Sequence, residues 1–209
     1  MTITGLQPYT KGRFKVYIDD SFAFVLYKGE ISKYRMEEGS TITEDMYNEI
    51  LHILLPARAR ARSLNLLEKR DYTVRALTDK LSEGLYPEEV IAETMEFLQD
   101  SGFVNDRRYA HRFLELHYEE ESRLALKKRL MQRGISVDLI EDAFHDYEEE
   151  HPGTGEAAAL LNYMRKKGIR PDELRDEERQ KKQLSLMRKG FSPELIGKVF
   201  RHYDEYVNE

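Results

Sequence analysis

The side chains that could carry covalent, acid–base or metal chemistry are thinly placed in this chain. It has no cysteine, which removes a thiol nucleophile, a disulfide framework and a Cys-based zinc site. His111 and His117, like His145 and His151, stand six residues apart, not the i, i+4 spacing that turns two imidazoles to one metal. No serine sits in a G-x-S-x-G elbow. Gly153-Thr154-Gly155 opens a helical stretch but lacks the Gly-Lys-Ser/Thr ending of a phosphate loop, so it reads as a linker and helix start. Carboxylates are too numerous to single out a catalytic pair. The expectation is a protein that is not an enzyme and holds no metal or cofactor.

The chemistry that remains is charge. Lys and Arg number 33 against 39 Asp and Glu, a formal charge of −6, yet the signs are segregated. Arg58, Arg60 and Arg62 form one basic run; Lys127, Lys128 and Arg129 a second; Lys181 and Lys182 a third. Residues 88–100 and 138–150 carry acids and no Lys or Arg. If like helices line up, the basic runs share one flank and can steer an acidic or phosphate-lined partner. The same charges can instead pair with each other, and composition alone does not separate the two.

Helices must position these runs. Arg13–Ile18 and Phe22–Tyr27 alternate about an Asp-Asp-Ser turn and predict a β-hairpin over 13–27, with Thr2–Leu6 as a further strand. From Thr43 onward the apolar period becomes helical, and Pro56 predicts a kink or a fresh helix start. Leu81, Leu130 and Leu186 anchor an internal repeat, with spacings of 49 and 56 residues. Nine, ten, fourteen and seventeen residues past each anchor lie apolar residues that share one helical face, as in Ile91, Ile140 and Ile196. Ahead of each such helix comes Gly84-Leu85, Gly134-Ile135 or Gly190-Phe191, where Gly suits the left-handed residue that ends a helix and the next side chain folds back. Pro87 and Pro193 suit the first turn that follows. Leading helices are expected at 57–69, 106–118 and 156–167.

The fold class is therefore mainly α, three tandem three-helix repeats in an elongated curved body with an N-terminal β-hairpin extension. The bounds expected are 1–42 for the extension, 43–103 for a lead-in helix and repeat 1, 104–152 for repeat 2 and 153–209 for repeat 3. No stretch approaches the roughly 18 apolar residues of a membrane span, and the N-terminus has no secretory signature. A soluble, cytoplasmic protein is the expectation.

The stretch Gly102-Phe103-Val104-Asn105-Asp106-Arg107-Arg108-Tyr109-Ala110 resembles the central signature of the RecX family. Leu77–Leu81 and Leu126–Ile135, with its Gly134, resemble that family's first and second units. In physical terms Gly102 ends a helix, Phe103 packs back, Asn105 or Asp106 caps the next helix, and Tyr109 and Ala110 line its buried face. The resemblance implies a cytoplasmic regulator that binds RecA filaments, inhibits their activities in recombination, the SOS response and DNA repair, and acts without a cofactor, as a monomer. Weak contact with DNA inside the filament stays open. The alternative is a direct DNA-binding protein that uses the basic helices.

Overall fold

The computed structural model describes residues 1–152 and 155–208. The chain divides into two compact units, Met1–Asn105 and Asp106–Glu209.

In the first unit, β1 (Ile3–Pro8), β2 (Arg13–Ile18) and β3 (Ser21–Tyr27) form an antiparallel sheet in sequence order. The β2–β3 turn holds Asp19 and Asp20 at φ +46° and +65°. A two-residue hairpin turn whose twist matches its strands needs both central residues left-handed, and Asp tolerates this better than most side chains. Val16, Ile18, Phe24 and Leu26 are buried in one cluster with Ile42, Ile50 and Leu55.

After α1 (Lys28–Lys33), α2 (Glu44–Glu49) starts at Thr43, whose hydroxyl accepts from the Met46 amide at 3.2 Å. Pro56 stands in the first turn of a fresh α-helix, as the sequence predicts, and the chain stays helical up to it. A π-helical turn, Ile50–Leu54, joins α2 to α3 (Leu55–Leu67), and the Leu55 amide reaches back five residues to the Ile50 carbonyl. The wider turn falls where a proline ring would crowd the preceding carbonyls, and Pro56 occupies the first turn of α3. Helices α4 (Val74–Ser82) and α5 (Glu88–Asp100) pack with α3. Leu77, Leu81, Val90, Ile91 and Leu98 continue the core that begins at the sheet, so strands and helices share one apolar interior.

The second unit contains α6 (Asp106–His117), α7 (Arg123–Gln132) and α8 (Val137–Glu150) around Ala110, Leu114, Leu126, Ile140 and Phe144. Then α9 (Glu156–Lys166), α10 (Asp176–Arg188) and α11 (Pro193–Arg201) enclose Leu160, Met164, Leu186, Ile196 and Phe200. The chain is thus mainly helical with a small N-terminal antiparallel sheet. Ser122, Ser136 and Ser192 each cap a helix by accepting from the amide three residues on.

Several local expectations need correction. The final helix of the third repeat does not run through Tyr203. It ends at Arg201, His202 breaks the helix, and a separate α12 (Tyr203–Asn208) follows. Pro193 opens α11, whereas Pro87 sits one residue before α5. Ile135 and Phe191 do fold back and are buried, each donating its amide to the carbonyl five residues earlier, Leu130 and Leu186. Phe103 makes the same backbone bond to Leu98 but stays 47% exposed, and Val104 is buried in its place. The Val104 amide also reaches the Leu98 carbonyl, at 3.1 Å, so the turn runs one residue further before a side chain meets the core.

Candidate partner-binding surfaces

Arg58, Arg60 and Arg62 sit two residues apart on α3, so Arg60 points away from the other two. Each meets a different neighbour. Arg58 pairs with Glu30 at 2.9 Å and donates to the Val25 carbonyl at 2.6 Å. Arg60 pairs with Glu93 of α5 at 2.5 Å and lies over the Phe97 ring. Arg62 makes a long 3.4 Å bond to the Lys80 carbonyl. The triplet does not make one basic patch; it fastens α3 to the sheet side, to α5 and to α4.

The second triplet is splayed as well, since successive residues on a helix turn by about 100°. Lys127 reaches Glu141 of α8 at 2.5 Å, and Arg123 bridges Glu141 at 2.7 Å and Glu148 at 2.8 Å. The Arg123 guanidinium also stacks over the buried Phe144 ring, 4.4 Å from its centroid. Hydrogen bonds from Lys127 and then Arg123 hold the Glu141 carboxyl below its ordinary pKa. Arg129 pairs with Glu121 and covers the Phe113 ring, which Arg133 also approaches. Arg133 in turn donates to the Tyr109 hydroxyl at 3.0 Å. Within this unit the basic α7 therefore faces the acidic α8 across a seam of ion pairs. Burial and then the nearby Arg129 push the His117 imidazole below its usual pKa.

Lys128 and Lys181 are exposed and Lys182 is half-buried. Among the described residues no carboxylate pairs with these three. Of the signature residues, Ala110 is fully buried, Tyr109 packs against the same core, and Asp106 is the first residue of α6. Gly102 and Gly134 adopt φ +71° and +87°, which other residues reach only with strain. Gly153 and Thr154 lie outside the described residues.

Sequence reading missed Glu141, the carboxylate that gathers two cations of α7, because nothing in the acidic run 138–150 separates it from its neighbours. It also missed Ser122. Its hydroxyl caps α7 by accepting from the Ala125 amide and further donates to the Lys189 carbonyl at 2.7 Å, 67 residues away. No group of three or more His, Asp or Glu among the described residues is placed to hold a metal ion. Among the same residues no helix is long and apolar enough to cross a membrane.

Comparison with known proteins places this architecture. Residues 59–98 match the family model described as the first three-helix domain of RecX. A protein of Clostridium acetobutylicum named regulatory protein RecX is 27% identical over 204 residues, covering 96% of this chain and 95% of the relative. A Lacticaseibacillus paracasei protein of the same name is 26% identical over 190 residues, 89% of this chain and 77% of the relative. A solved regulatory protein RecX has a similar fold, with a TM-score of 0.59 at 23% identity over 93% of this chain and 96% of that one. The RecX crystal structure from Lactobacillus salivarius aligns with a TM-score of 0.61 at 23% identity, over 72% of this chain and 97% of that one. The model for the first domain and relatives matched along nearly the whole length agree, and solved folds of the same kind share the architecture: the chain is similar to RecX proteins from end to end.

Proposed function

We propose that the chain is a non-enzymatic regulator that binds RecA filaments and inhibits RecA in recombination and DNA repair. The observation that carries this reading is the end-to-end match to proteins named regulatory protein RecX, joined to the α3–α4–α5 bundle that corresponds to the family's first domain. Its working parts are three three-helix repeats, at 43–103, 104–152 and 153–209, with the sheet as an extension. It acts in the cytoplasm, as a monomer, on the filament surface.

The contact residues proposed from the basic runs fall into two classes. Lys128, Lys181 and Lys182 have no carboxylate partner among the described residues, so their charge is available to a partner. Arg58, Arg60, Lys127 and Arg129 already bind acids of the same unit, so they act chiefly by shaping the surface, while Arg62 has only a long bond to a backbone carbonyl. Exposed charges alter folding by about 0.5 kcal/mol or less but can change association rates by orders of magnitude. Lys128→Glu with Lys181→Glu and Lys182→Glu should therefore keep the melting temperature and weaken inhibition of RecA-dependent ATP hydrolysis on single-stranded DNA. The defect should shrink as added salt screens the attraction. Undiminished inhibition by this variant at low salt would move the contact to another face.

A further inference from the structure

The first unit holds a cleft that this reading does not use. It lies among β2, β3, α3 and the turn ahead of α5 and encloses about 470 Å3, within the roughly 300–1,000 Å3 of small-ligand pockets. Its walls carry Arg13, Tyr27, Arg58, Arg62, Lys69 and Tyr86, and no carboxylate lines it.

The four cations are not equivalent. Arg58 is fixed: Glu30 and the Val25 carbonyl hold its guanidinium, and the Tyr27 and Tyr86 rings flank it at 5.0 and 5.5 Å. The other three are not neutralised by folding. Among the described residues Arg13 hydrogen-bonds only to the hydroxyl and carbonyl of Thr10, at 2.5 and 3.3 Å, and lies over the Tyr9 ring, and no carboxylate pairs with it. Arg62 has its long bond to Lys80, and its buried Nε finds no acceptor among the described residues. Lys69 is exposed, and among the described residues no carboxylate pairs with it. Elsewhere in the chain Arg60, Lys127 and Arg129 each meet an acid; here three positive charges converge on one concavity of a protein whose net charge is −6. Low-dielectric walls around charges of one sign raise the local concentration of the opposite ion.

The count of charges selects the ligand. One carboxylate supplies a single negative charge, whereas a phosphate group supplies about 1.5 to 2, and guanidinium forks match its oxygens two at a time. Val25 and Leu66 add an apolar wall against which the organic part of a phosphate ester can rest. We propose that this cleft binds the phosphates of a nucleotide, supplied either as a free nucleoside polyphosphate or as part of a nucleic-acid strand.

The test uses the full chain without recombinase, so its outcome is independent of the function proposed above. Binding of a nucleoside triphosphate is measured by calorimetry, and binding of a fluorescent oligothymidylate strand by anisotropy, with oligoglutamate as competitor. Arg62→Gln with Lys69→Gln should weaken binding of the preferred phosphate probe by about tenfold or more, through loss of charge-assisted hydrogen bonds. Arg13→Gln should weaken it in the same direction. The equally charged control Arg75→Gln with Lys198→Gln should bind as the wild type does. If the strand is preferred, the double variant should also lower the magnitude of the slope of log K against log salt by about 1.4, at about 0.7 for each phosphate no longer neutralised. A stronger response to the triphosphate assigns the free nucleotide as source; a stronger response to the strand assigns nucleic acid. The proposal is overturned if neither probe binds, if both cleft variants bind like the control, or if oligoglutamate displaces the probe as well as phosphate does. Circular dichroism and melting of each variant establish that a loss of binding is not a loss of fold.

Discussion

The Ser122 hydroxyl donates to the Lys189 carbonyl at 2.7 Å while accepting from the Ala125 amide at 3.2 Å. One buried side chain thus caps α7 and closes the end of α10, coupling the two three-helix groups of the second unit. The neighbouring Gly190 has φ +95°, and a Cβ there would lie 2.5 Å from the same hydroxyl oxygen. Ser122→Ala should cost about 1–3 kcal/mol, combining a lost cap with a carbonyl left without its donor. Gly190→Ala should destabilise too, from backbone strain and the clash. Because Ser122→Ala removes the clashing atom, the double variant should be less destabilised than the sum, with a coupling of about 0.5 kcal/mol or more in urea unfolding. Strict additivity would show that the contact is not formed.

Lys127 and Lys128 are adjacent in sequence and differ in role. Lys127→Glu places an acid against Glu141, to which Arg123 is also bound, and should lower the melting temperature. Lys128→Glu should stay within about 0.5 kcal/mol of the wild type, as exposed substitutions do. Thermal melts of the two single variants decide this, and equal effects would contradict the ion-pair seam.

The aromatic pair Phe103 and Phe144 should separate by burial. Phe144 is fully buried, so Phe144→Ala should cost about 3–5 kcal/mol, whereas half-exposed Phe103→Ala should cost about 1–2 kcal/mol. Urea midpoints of the two variants test the ranking.

Acid should weaken the second unit through Glu141. Its folded pKa is depressed from the usual 4.5 by Lys127 and then Arg123, so the unfolded chain takes up this proton first as pH falls. The contribution is full above about pH 4.5 and is lost as pH falls through the lower folded value. Glu141→Gln should lower stability at neutral pH and flatten the acid limb of melting temperature against pH. An acid limb identical to that of the wild type would exclude Glu141 as a source.

The helical plan is legible because its signals are local. The apolar period and the glycine near each helix end repeat with the anchors at Leu81, Leu130 and Leu186. One irregularity has a structural origin. Gly84 stands a residue earlier than its counterparts Gly134 and Gly190, and Leu85 takes the left-handed conformation in their place, at φ +59°. A Cβ on Gly84 would meet the Tyr86 ring and the Leu81 carbonyl at 3.0 Å, so the small residue is needed for space there and not for its dihedral angle. The surfaces are less legible because pairing across elements decides which charges remain available. Arg60 with Glu93 and Lys127 with Glu141 are joined by a fold that composition cannot see. Arg13, Lys69 and Tyr86 come from three separate segments and meet only when the sheet packs against α3.

The central claim is that this chain restrains RecA. The direct measurement is RecA-dependent ATP hydrolysis on single-stranded DNA, titrated with this 209-residue chain at low salt. The account predicts that hydrolysis falls as protein is added and that Lys128→Glu with Lys181→Glu and Lys182→Glu, folded as the wild type, inhibits less. Hydrolysis that stays unchanged up to a large molar excess of folded wild-type protein would contradict it.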